Sequence, residues 1–244
     1  MSRTRLILAA LLAVLAVGVV ASASGTEPPK KCGGKVNAVP AYCVEGFQLE
    51  NSKGEPALAE VNGTDGISLL KATVATVTSE VECKKGKSSG TIEDGLSGTA
   101  GKSTVTNTFE ECKLLKPTNC KLTASNENKI KTAELQGQLV LTGGRIEDKL
   151  APPESAFAAI SIEGKESSCV IAEVGKPKIF SISGSQLCEI DKANTEAETE
   201  ALTHKIICKA SGGSLTLGSN TAEMTNEATV KLISGKKWSI KEST

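Results

Sequence analysis

Apolar and polar positions alternate with a period of two along most of the chain. In GISLLKATVATVTSEVEC the odd positions Ile67, Leu69, Thr73, Ala75, Val77, Val81 and Cys83 alternate with mostly polar or small neighbours. That is the pattern of one long, half-buried strand or of two strands in line. It also predicts strands over residues 103–112, 129–142, 155–164, 168–174, 178–182, 201–210, 214–217, 228–233 and 237–241, all rich in threonine and β-branched side chains. Between them stand the turn signals KKGKSSG, SGTAGKS, LTGGR, ASGGS and SGKK. ATVKLIS, then GKK, then WSIKE reads as a terminal hairpin. A helix is expected only over residues 194–202, where Asn194 or Thr195 would cap an Ala/Glu-rich turn or two.

Short strands at turn-punctuated spacing, with no alternating long helices, predict an all-β fold, an antiparallel β-sandwich or barrel. The Ala151-Pro152-Pro153 step suggests two lobes, residues 61–150 and 151–244, within one domain, preceded by a disulfide-pinned segment at 24–60.

The first 23 residues break the alternation. A cationic MSRTR leads into an uninterrupted apolar run over residues 6–20, then Ala21-Ser22-Ala23. This is the make-up of a secretory signal peptide, with cleavage expected after Ala23. The competing reading is an uncleaved anchor; the polar, proline-bearing SGTEPPKK that follows favours cleavage. Cys32 follows Pro-Pro-Lys-Lys, not a small-residue lipobox. The expected localisation is secreted or extracytoplasmic, with no membrane contact in the mature form.

Composition narrows the function classes. The 244 residues carry 28 basic and 28 acidic side chains. Loss of Arg3 and Arg5 with the signal leaves 26 basic residues, a net charge of about −2. Such a surface has no strong field for phosphate or anionic lipid. Rings make up only 2% of the chain, so the stacking platforms of a single-strand nucleic-acid binder are missing. No nucleic-acid partner is expected.

Eight cysteines, all beyond the signal, read as four disulfides in an oxidising compartment. Spacing suggests Cys32 with Cys43, Cys112 with Cys120 across KLLKPTN, and Cys188 with Cys208, leaving Cys83 for Cys169 by elimination. These staples would compensate for a core poor in rings and built of Leu, Ile, Val, Ala and Thr.

Candidate chemistry is sparse. His204 and Cys208 would share one side of a strand, but no CxxC pair accompanies them, so neither a metal site nor a redox site is expected. Glu110-Glu111, Glu147-Asp148 and Glu189/Asp191 are the carboxylate clusters a glycosidase-like pair would draw on, each beside a strand end or turn. No GxSxG elbow exists; the Ser-Gly-Ser at 183–185 reads as a turn. Asn62-Gly63-Thr64 is a glycosylation sequon or, with Asp65-Gly66, a turn. Trp238 would either anchor a ligand or cover the end of the core, and its place in a terminal hairpin favours the packing role.

Phe109, Cys112, Cys120, Ile130, Thr132, Leu135, Gly137 and Leu139, within TVTNTFEECKLLKPTNCKLTA and KIKTAELQGQLVL, make a pattern that resembles exported, often paralogous, actinobacterial β-rich proteins. The resemblance spans residues 81–184 and implies a secreted β protein with no assigned activity. The expected function is a secreted or envelope-associated, non-catalytic β module that binds a protein or surface polymer and needs no cofactor. An exported hydrolase using a carboxylate pair is one alternative. An extracellular protease inhibitor presenting the Lys116-Pro117 loop is the other.

Overall fold

The computed structural model describes residues 32, 39–49, 57–94, 99–154, 156–165, 169–190 and 200–243. The expected signal peptide with its cleavage point after Ala23 lies outside them, as do residues 194–199 of the expected helix. In chain order the strands are β1 (Val39–Val44), β2 (Phe47–Gln48), β3 (Leu58–Asp65), β4 (Ser68–Val74), β5 (Val77–Glu93), β6 (Lys102–Lys116), β7 (Cys120–Leu122), β8 (Lys129–Lys131) and β9 (Leu135–Thr142). They continue with β10 (Arg145–Ala151), β11 (Ala158–Gly164), β12 (Lys178–Ser183), β13 (Gln186–Ile190), β14 (Thr203–Gly213), β15 (Thr216–Leu217), β16 (Asn220–Leu232) and β17 (Trp238–Ser243). The one described helix, α1 (Ala124–Asn128), is a single short turn between β7 and β8. The fold is all-β, antiparallel and disulfide-bonded.

Eight of these strands close into a ring. Following the antiparallel pairs, β3 joins β5, then β6, β9, β10, β13, β14 and β16, which pairs back with β3. Closure leaves this barrel no free edge. A small sheet, β17-β1-β2, brings Tyr42 and Trp238 into the barrel's core cluster with Val61, Ile92, Leu139, Ile146 and Leu232. Trp238 thus takes the core-covering place its sequence context suggests.

A second cluster, around Leu70, Val81, Phe109, Leu122, Phe157, Ile160 and Leu217, lies in a companion lobe. It is built from β4, β7, β8, β11, β12 and β15 together with the other portions of β5, β6 and β16. The lobes therefore do not follow the expected division after residue 150: both clusters draw on residues from either side of it, because three long strands run through both.

The sheet corrects several local expectations. Residues 67–83 form no continuous strand. β4 and β5 are a hairpin turning at Ala75-Thr76, both at positive φ. Val74 opposite Val77 reverses the parity, so β4 buries Ser68, Leu70, Ala72 and Val74 while Ile67 is 63% exposed. KKGKSSG lies inside β5 and Asn62-Gly63-Thr64-Asp65 inside β3, so neither is a turn. The terminal hairpin does not form either. Both edges of β16 are occupied, by β3 and β14 over one half and by β4 and β15 over the other, so β17 pairs with β1 instead. Residues 169–174 hold only isolated bridges at Glu173 and Val174.

The bonds Cys32–Cys43 and Cys188–Cys208 are present; the other two exchange partners. Cys83 bonds Cys112, and Cys120 bonds Cys169. β6 continues past Cys112 to Lys116, so Cys112 faces its register partner Cys83 across the sheet, 3.9 Å between Cα atoms. Cys120 opens the next strand and reaches the 169 segment, 5.4 Å away. Partial reduction with peptide mapping should release fragments linked Cys83–Cys112 and Cys120–Cys169. Recovery of Cys112–Cys120 would contradict this register. Four disulfides belong to an oxidising, extracytoplasmic environment. Among the described residues, no helix is long and apolar enough to cross a membrane.

Candidate functional site

Each barrel strand presents alternate residues to the interior, and that inward series is interrupted by polar side chains between the two apolar clusters. On β10 it runs Ile146, Asp148, Leu150; on β6 Val105, Asn107, Phe109; on β16 Met224, Asn226, Ala228. Ser88 and Asp65 extend this polar belt on β5 and β3. Inside it lies a cavity of about 60 Å³.

Asp148 is 5% exposed. The Ser103 hydroxyl donates to its Oδ2 at 2.8 Å, while Oδ1 has no hydrogen-bond partner. Burial pushes its pKa up to about 6, with the Ser103 bond offsetting part of the rise. Asp65 is 6% exposed, and neither of its oxygens has a partner at hydrogen-bond geometry. Burial raises it to about 6 as well, the nearby Asn226 amide opposing the shift. Asn226 uses its Oδ1 to accept from Ser68 Oγ at 2.9 Å. Burial, then the charge of Asp148, lifts the Tyr42 hydroxyl pKa, against a hydrogen bond with Ser103 and with a further push from Asp94. The Ser88 hydroxyl and the Trp238 indole N–H, also on the cavity wall, have no partner.

Glycines make room for these groups. A Cβ on Gly137 would collide with Ser103 Oγ and stand 2.5 Å from Asp148 Oδ1; one on Gly86 would stand 2.7 Å from Asp65 Oδ2. A Cβ on Gly63 would collide with Ser88 Oγ. Gly63 and Gly86, which read as turn glycines, and Gly137, which alternation already puts in a strand, are thus in-strand gaps beside polar side chains.

The outer wall of the barrel carries a second feature, an open groove of about 700 Å³. Its floor is the outward face of β5, β6, β9 and β10: Thr91 and Glu93, Lys102 and Thr104, Gln136 and Gln138, and Lys149. Leu58 and the Pro152-Pro153 step flank it. The Thr91 and Thr104 hydroxyls hydrogen-bond across the strands at 2.8 Å.

The sequence-derived candidates are scattered. Glu110 and Glu111 lie on β6 where it passes between the lobes. Glu111 is solvent-exposed and pairs with Lys85 at 2.7 Å, a hydrogen bond and attraction that lower its pKa. Asp148 points into the barrel and Glu147 to the opposite face of β10. Glu189, outside the barrel, is held by Lys209 at 2.6 Å and Arg145 at 2.7 Å, and these two cations lower its pKa; Asp191 lies outside the described residues. His204 Nε2 is 2.7 Å from the Trp238 carbonyl oxygen, and its ring stands edge-on to Trp238 at 4.5 Å. Cys208 is in its disulfide. Lys116, beside the supposed inhibitor loop, pairs with Glu80 at 3.4 Å, and no disulfide closes that loop into a ring. Among the described residues, no three His, Cys, Asp or Glu side chains gather to hold a metal ion.

Asp65, Ser88, Ser103, Asn107 and Asn226 escaped sequence reasoning. Their signal is a polar residue interrupting the inward-facing half of an alternating strand, with glycine opposite in the case of Asp65, Ser88 and Ser103. Comparison with protein-family models, with curated proteins and with solved structures found no match.

Proposed function

We propose that the protein is a secreted or envelope-associated, non-catalytic binding module whose outer groove takes an extended, hydrogen-bonding cell-surface polymer. The observation that carries this reading is the groove itself. Four adjacent strands hold amides, hydroxyls and ammonium groups in fixed alternation along a trough. At about 4.8 Å between strands the floor is roughly 14 Å wide, enough for several consecutive units of a chain. Two lysines against one glutamate favour a polymer bearing hydroxyls and some carboxylates. Export is supported by the signal-like first 23 residues and the four disulfides.

The test is co-sedimentation of the purified mature chain with insoluble peptidoglycan and cell-wall polysaccharide. Binding is expected to weaken at least tenfold in the double variant Lys102→Glu, Lys149→Glu, both surface changes that leave the barrel interior alone. Absence of binding by the parent protein, or equal binding by the variant, would overturn the reading.

A further inference from the structure

We propose that the barrel interior is a second binding site, selective for a small primary ammonium compound that donates to Asp65 and Asp148. Both aspartates line one cavity, and together they leave three carboxylate oxygens without a partner at hydrogen-bond geometry, the Asn226 amide standing near Asp65. Burying a carboxylate without a partner is among the costliest arrangements a fold can hold, and a bound cation removes that cost. No lysine, arginine or histidine is among the described residues lining the cavity, so the protein supplies no such cation there. Gly86 and Gly137 keep the space beside these carboxylates open where any larger residue would fill it.

Two further groups on the cavity wall fix the rest of the ligand. The indole N–H of Trp238, 1% exposed, and the Ser88 hydroxyl are unpartnered polar groups on the same cavity. An oxygen on the ligand accepts from Trp238 while the ammonium end donates to the aspartates. Two carboxylates with no third His, Cys, Asp or Glu gathered beside them among the described residues suit N–H donors better than a divalent ion. The cavity of about 60 Å³ sets the size, because a water needs about 10–15 Å³ of such space: roughly four to six heavy atoms fit. A short amino alcohol meets each condition.

Trp238 is the sole tryptophan and stands on the cavity wall, so it reports occupancy directly. Its fluorescence is titrated at pH 7.5 with ethanolammonium chloride, against sodium chloride and tetramethylammonium chloride at equal ionic strength. A saturable change and a rise in Tm are expected with ethanolammonium alone. Asp148→Asn and Asp65→Asn, each checked for folding by circular dichroism, should weaken the response at least tenfold. No change, or the same change with sodium or tetramethylammonium, overturns the proposal. So does an undiminished response in both variants; and since the salt comparison uses the parent chain, the test stands even if a variant fails to fold.

Discussion

In buffers free of ammonium compounds, stability is expected to fall steadily as the pH rises from 5 to 7.5. Asp65 and Asp148 both have folded pKa values raised to about 6, from an ordinary 3.8. Between those values the folded state binds more protons than the unfolded one. Their stabilisation is therefore complete below pH 3.8 and is lost as the pH climbs through 6. Linkage puts the loss between pH 5 and 7.5 at about 1.4 kcal/mol for each carboxyl. Glu189 acts oppositely. Lys209 and Arg145 lower its pKa, so its contribution is present above the usual glutamate range and disappears below it. The two trends oppose each other only below the usual glutamate range, so from pH 5 upward the aspartates set the slope. Asp148→Asn should raise stability at pH 7.5 by on the order of 3 kcal/mol, the full cost of holding that buried charge, and should flatten the pH profile. Urea denaturation of the parent chain and the variant at pH 5 and 7.5 measures both. A parent profile that rises with pH, or a variant less stable than its parent at pH 7.5, would show that Asp148 is stabilised as an anion.

The pH response arises at a place where the alternating pattern was legible but its interruptions were not. Period-two runs located most of the strands, and LTGGR marked the β9–β10 turn at Gly143-Gly144, both at positive φ. What alternation cannot carry is which edge a strand finds. The β4–β5 turn uses Ala75-Thr76, with none of the glycine or asparagine that ordinarily marks a two-residue turn, so the reversal and its parity change are silent in the sequence. The pairing of β17 with β1 depends on barrel closure, a property of strands up to two hundred residues apart. The disulfide exchange has the same origin. Loop length favoured Cys112 with Cys120, but β6 continues past Cys112 and aligns it with Cys83.

The candidate site was less legible still, because its residues were assigned to other roles. Asp65 read as part of a turn and Asp148 as one of several solvated carboxylates, since nothing local distinguishes a buried aspartate from an exposed one. The distinction lies in parity. Asp148 shares its strand face with Ile146 and Leu150, whereas Glu147 shares the other face with Arg145 and Lys149. A charged residue on the apolar face of a strand, set against glycine on the neighbouring strand, is the sequence mark of a polar chamber inside a barrel.

Gly137→Ala is expected to destabilise the protein by about 3 kcal/mol or more, although Ala is ordinarily harmless in a strand. The backbone φ of Gly137 lies outside the left-handed region, so the penalty comes from space alone. The new Cβ would collide with Ser103 Oγ and sit 2.5 Å and 2.9 Å from the Asp148 oxygens. These groups belong to the closed β6–β9–β10 wall and cannot retreat without breaking register. Overpacking of this kind costs about 1–3 kcal/mol. Displacing Ser103 also strips Asp148 of its only hydrogen bond at hydrogen-bond geometry, adding about 1–3 kcal/mol for a buried group left unpaired. The cause is checked with a double-mutant cycle in urea. In a Ser103→Ala background the hydroxyl is gone, so Gly137→Ala should cost at least about 1 kcal/mol less than in the parent, a coupling expected only of residues in contact. Gly143→Ala serves as the control: that turn glycine has nothing within 4 Å of its added Cβ, and only the positive φ of 57° weighs against alanine. If the Gly137 and Ser103 effects simply add, or if Gly137→Ala costs no more than Gly143→Ala, then the carboxylate of Asp148 is not seated against Gly137 and the chamber is not built as described.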